Sequence, residues 1–92
     1  MESWYLYVLR CKEDLFYVGI TLYPDKRIKE HFEGFGANFT KRNPPIEVVE
    51  LYSLNSWDRD ICYKEETRIT RLYRDKYGID KVVGGKKLRL GK

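Results

Sequence analysis

Trp4-Tyr5-Leu6-Tyr7-Val8-Leu9 and Phe16-Tyr17-Val18-Gly19-Ile20, separated by Lys12-Glu13-Asp14, decide the fold. Both runs are dense in aromatic and β-branched residues, which suit a pleated, half-buried surface. The polar triplet between them reads as a turn, so the pair predicts an antiparallel hairpin. Pro24-Asp25 then opens a helix, because Pro fits a first turn and Asp complements the positive end of the dipole. Ile28 and Phe32, at i and i+4, form its expected buried stripe, and Gly34 and Gly36 end it. Ala37 to Pro45 reads as a basic loop carrying Lys41 and Arg42. Ile46 to Leu54 reads as a third strand, with Ile46, Val48 and Glu50 alternating. Asn55 or Ser56 caps a long second helix over roughly Trp57 to Lys76. Its stripe runs through Ile61/Cys62, Ile69 and Leu72/Tyr73, and Gly78 stops it. The basic, Gly-punctuated tail leaves room for a short C-terminal element. The expected order is ββαβα, an α+β arrangement (α/β in the broad sense) with a small three-stranded antiparallel sheet flanked by helices.

A chain of 92 residues is one domain, 1–92, with a modest core. Hydrophobic residues at 42% and charged residues at 35% exclude a disordered chain. Eight tyrosines exceed what a small core needs, and buried tyrosine hydroxyls require partners. The net charge of +4 suits an anionic partner such as nucleic acid. Cys11 and Cys62 have no zinc spacing and read as reduced, small hydrophobes. Neither a secretory leader nor a membrane-length apolar run is present, so the expected location is intracellular and soluble (cytoplasmic or nuclear), not secreted.

Three sets of residues are not explained by packing alone. Glu66 shares a helical face with Cys62, Ile69 and Tyr73. A carboxylate there is costly unless paired or bound to metal. The structural alternative is a rotated stripe with Glu66 at its edge beside a Lys, and Glu65 is a competing candidate. Arg27 and His31 neighbour each other at i and i+4, an arrangement that suits an anionic oxygen. The alternative is a solvated face shared with Lys26, Lys29 and Glu30. Tyr7 and Tyr17 fit core packing as readily as chemistry. Gly19 within a strand points to a bulge or a close approach. No phosphate-binding Gly-rich loop, two-metal carboxylate pair or nucleophile triad competes.

Taken together, these positions resemble the GIY-YIG nuclease family, in particular its small stand-alone domains. Tyr5-Leu6-Tyr7 stands where the family has its first motif and Tyr17-Val18-Gly19 where it has its second. Arg27 is followed four residues later by His31, and Glu66 follows a small residue, Cys62, by four. The segments 36–41 and 45–49 and the tail from Tyr77 to Gly85 are also similar to members. Two departures stand out: Tyr5 replaces the first-motif Gly, and no Asn follows the catalytic helix, Lys81 standing where some tails have it. The resemblance implies a DNA endonuclease with one Mg²⁺ or Mn²⁺ per site, held by Glu66 and several waters. It also prefers Glu66 over Glu65. Tyr7, or less favourably Tyr17, takes the proton of the attacking water, with Tyr17 otherwise orienting it. An ordinary tyrosine pKa of about 10 must then be lowered by nearby positive charge. Arg27 stabilises the phosphorane, and His31 bonds a tyrosine or the phosphate. Gly19, Lys41 and Arg42 are the candidate substrate contacts.

That mechanism makes a structural demand. Tyr7 and Tyr17 must point to one face, so facing residues must have numbers that sum to an even value. A two-residue turn at Glu13-Asp14 would put them on opposite faces. Two rival functions share the same residues. One is a nucleic-acid-binding module without catalysis, served by Lys41, Arg42 and the tail Lys86-Lys87-Leu88-Arg89. The other is a catalytic subunit that depends on a protein partner or homodimer for specificity.

Overall fold

A computed structural model describes residues 3–84. The basic tail from Gly85 onward lies outside the described residues. Strand β1 (Tyr5–Cys11) turns through a tight helical turn at Lys12–Asp14 into β2 (Leu15–Thr21). The register runs from Tyr5 opposite Thr21 to Cys11 opposite Leu15. Facing residues therefore sum to an even value, as the tyrosine geometry demands. The three-residue turn achieves this by placing Glu13 and Asp14 in left-handed conformations, with φ of 63° and 58°.

Helix α1 (Pro24–Glu33) begins with Pro at its first turn and ends at Gly34, whose φ is 85°. Two residues expected to differ in burial exchange places here. Phe32 is 43% exposed and His31 is fully buried. The stripe is therefore Ile28 with His31, at i and i+3, rotated from the expected Ile28 with Phe32. A histidine tolerates the interior because both of its ring nitrogens are hydrogen-bonded there. The expected basic loop contains a short helix, α2 (Asn38–Arg42). It is pinned by Phe39, which stacks on Tyr17, and by Thr40, which is buried.

Strand β3 (Pro45–Ser53) pairs antiparallel with the other side of β1. The expected alternation of Ile46 and Val48 into a core is not observed, since both side chains are exposed. β3 is an edge strand, and two register shifts against β1 break its pleat. Helix α3 (Arg59–Tyr77) starts later than expected. Its cap is Asp58, which accepts from the amides of Asp60 and Ile61, and not Asn55 or Ser56. Its buried residues are Cys62, Glu66, Ile69 and Thr70, while Ile61 and Leu72 are exposed.

After Gly78 a helical turn leads into β4 (Val82–Val83), which pairs parallel to β2 at Phe16 and Tyr17. The sheet is therefore four-stranded and mixed, in the order β3-β1-β2-β4, instead of three-stranded and antiparallel. Val82 is buried and its carbonyl accepts from Arg74 Nε at 3.0 Å, which fastens this short strand to α3. Each face of the sheet has its own apolar cluster. Leu6, Val8, Phe16, Val18, Ile69 and Val82 fill the α3 side. Tyr7, Leu9 and Cys11, with Tyr17, Ile28 and Phe39, fill the α1/α2 side. Cys11 and Cys62 are both buried and free. Among the described residues, no helix is long and apolar enough to cross a membrane.

Candidate active site

Tyr7 and Tyr17 share the α1/α2 face of the hairpin, their ring centroids 6.3 Å apart. Tyr7 faces Gly19 across the β1–β2 ladder. Its ring lies over that glycine so closely that a Cβ there would stand 2.6 Å from both Cζ and Oη of Tyr7. The close approach at Gly19, expected from another backbone or a ligand, is made instead by the Tyr7 side chain.

The Tyr7 hydroxyl lies 2.8 Å from His31 Nε2, one helical turn after Arg27 on α1. His31 Nδ1 in turn lies 2.8 Å from Thr40 Oγ1 on α2. Gly36 makes room for this ring, because a Cβ at Gly36 would come within 2.4 Å of His31 Nδ1. Burial, with the nearby charge of Arg27 behind it, pushes the His31 pKa down to about 4, so the imidazole is neutral at neutral pH. Burial also pushes the Tyr7 pKa above its ordinary value, outweighing the pull of Arg27 in the other direction. The expected lowering is therefore not a property of these residues alone.

Arg27 is partly exposed at the margin of the site. Its guanidinium donates to Glu30 Oε1 at 3.2 Å, and it lines the same cleft as Tyr7. His31 and Arg27 thus do not share one role. His31 is sealed behind Tyr7, whereas Arg27 opens onto a cleft of roughly 220 Å³ lined by Trp4, Tyr7, Tyr17, Gly19, Arg27 and Glu66, among others. Glu66 enters this cleft from α3, on the other side of the sheet, and is only 2% exposed. Glu65 turns away to pair with Arg68 at 2.6 Å. Lys41 and Arg42 are exposed on α2 and do not line the cleft.

Arg59 and Tyr63 line the same cleft and were not foreseen. Arg59 donates to the Tyr63 hydroxyl at 2.9 Å, and its guanidinium lies over the Tyr63 ring, 5.1 Å from the centroid. Their spacing from Glu66, seven and three residues back along α3, was the available signal. Thr40 and Gly36 lie in the segment 36–41 that resembles family members, but only the fold brings them to His31.

Among the described residues, no three His, Cys, Asp or Glu side chains gather into a metal cage. The cleft offers one buried carboxylate beside two tyrosines. That donor set fits Mg²⁺, which takes one or two carboxylates and keeps its waters, and it does not fit structural zinc.

Residues 3–78 match the family model described as the GIY-YIG catalytic domain. The chain belongs to the GIY-YIG family. This family is known for endonucleases, which commonly use divalent metals. Among its GIY-YIG relatives is a UPF0213 protein of Xanthomonas axonopodis pv. citri, 32% identical over 74 residues, covering 80% of this chain and 71% of the relative. A UPF0213 protein of Cupriavidus necator is 40% identical over 71 residues, covering 77% and 75%. One from Natronomonas pharaonis is 33% identical over 72 residues, covering 78% and 82%. No solved structure matches the chain significantly.

Proposed function

We propose that this GIY-YIG protein is an endonuclease that hydrolyses phosphodiester bonds in DNA with the help of one divalent metal. The observation that carries this reading is the convergence of Tyr7, Arg27 and Glu66 on one cleft, with Tyr7 backed by a neutral histidine. Tyr7 accepts the proton of the attacking water, and Tyr17 orients that water from the same face. Arg27 donates to the phosphate oxygens, where negative charge grows in the transition state. Glu66 would hold Mg²⁺ or Mn²⁺, which when bound supplies positive charge to the scissile phosphate and the leaving 3′-oxygen. Arg59 and the rings of Trp4 and Tyr63 add to the wall a cation and two stacking surfaces for the nucleic-acid strand.

The test is nicking of supercoiled plasmid by wild type, Glu66→Ala and Tyr7→Phe, with Mg²⁺, with Mn²⁺ and with EDTA. Metal-dependent cutting by wild type alone is the expected result. A folded protein that retards DNA but cuts nothing under any condition would favour a binding module. Cutting restored by a second protein would favour a partner-dependent subunit.

A further inference from the structure

Thr40 is not among the residues that line the cleft, yet its hydrogen bonds bear on where the Tyr7 proton points. Its hydroxyl has one hydrogen. The Ala37 carbonyl, 3.1 Å away, can only accept, so that hydrogen goes to Ala37. Thr40 Oγ1 is thereby left as an acceptor toward His31 Nδ1 at 2.8 Å. The proton of the neutral imidazole must then sit on Nδ1, and Nε2 is bare. Tyr7 lies 2.8 Å from that bare nitrogen and donates its only hydrogen to it.

With its hydrogen pinned on His31, Tyr7 presents lone pairs to the cleft, which it lines together with Arg27, a group that can only donate. The opposite tautomer would turn the Tyr7 hydrogen outward and make the tyrosine a donor to water.

We infer that Thr40 is a positioning residue that fixes the His31 tautomer and so makes Tyr7 a proton acceptor. This rests on the nuclease reading for its catalytic meaning but not for its structural one. In the step, the water proton passes to Tyr7 Oη as the Tyr7 proton passes to His31 Nε2. The new O–P bond forms, the P–O3′ bond breaks, and the 3′-oxygen takes a proton from solvent. Ala37 and Gly36 serve the same end, one as the terminal acceptor and the other by leaving space against the ring.

His31 is the chain's only histidine, so its ring nitrogens can be read without assignment in ¹⁵N-histidine-labelled protein. Long-range ¹H–¹⁵N spectra near pH 7 are expected to show a protonated Nδ1 and a bare Nε2 in wild type and in Thr40→Ser. Thr40→Val is expected to lose that pure tautomer. It should also lower kcat for nicking by about 10- to 100-fold with KM little changed, while Thr40→Ser recovers most of it. A wild-type spectrum with Nε2 protonated would overturn the inference outright. So would a folded Thr40→Val with unchanged kcat. A protein that nicks nothing would sink the nuclease reading instead, and the wild-type spectrum would still decide the tautomer.

Discussion

A methyl group at Gly19 would press on the Tyr7 ring at 2.6 Å, and the ring's hydroxyl is held at 2.8 Å by His31. Gly19→Ala should therefore cost about 1–3 kcal/mol in urea unfolding and cut nicking more severely than stability alone explains. His31 carries a pH signature. Its folded-state pKa of about 4 lies below the ordinary histidine value, so between pH 6.5 and 4 the unfolded chain binds the extra proton. The stabilisation is complete above pH 6.5 and is lost as the pH falls toward 4. A loss on the order of 2 kcal/mol is expected, measured as the wild-type slope minus that of His31→Gln. Arg59→Ala should raise KM and reduce the salt slope of DNA binding by about one, with kcat little changed. A titration between 50 and 200 mM salt checks this. At this scale Tyr7, Tyr17, Arg27 and Glu66 were legible as one cleft because their spacing carries a family pattern. The contacts of Thr40 and Gly36 with His31 were not, because they form between elements.

The hairpin turn is an element whose geometry was deducible in advance. The need for both tyrosines on one face required an odd-length turn, and Lys12–Asp14 supplies it. Glu13 adopts a left-handed conformation there, which is unfavourable for a residue with a Cβ. Glu13→Asn should stabilise the protein by about 0.5 kcal/mol and leave nicking unchanged, as read from urea midpoints and plasmid assays. On α3, Asp58→Ala removes the cap and should cost about 1 kcal/mol. The cap and the start of α3 were misjudged because Asn55, Ser56 and Asp58 are all good capping types, and only tertiary placement selects one. The strand β3 is where its β-rich pattern placed it, but its apolar alternation promised a core face, and an edge strand with two register shifts leaves Ile46 and Val48 exposed. A short C-terminal element was expected, but two valines could not show that it is β4 and joins the sheet, since a parallel pairing depends on the helix that returns the chain.

Across the whole molecule, one sheet separates two packing layers, and the cleft draws from both. Tyr7, Tyr17 and His31 belong with α1 and α2, whereas Glu66 arrives on α3 from the opposite face. Neither layer holds a complete set. The order along the chain adds something to this division. Tyr7, Arg27 and His31 are all encoded before residue 41, and Glu66 follows. A chain emerging from the ribosome would carry Tyr7 early and Glu66 late, with the two brought together only when the last long helix docks. On the proposed reading, a nascent or half-denatured copy is harmless to the nucleic acid around it, and cutting power is conferred by the final step of assembly.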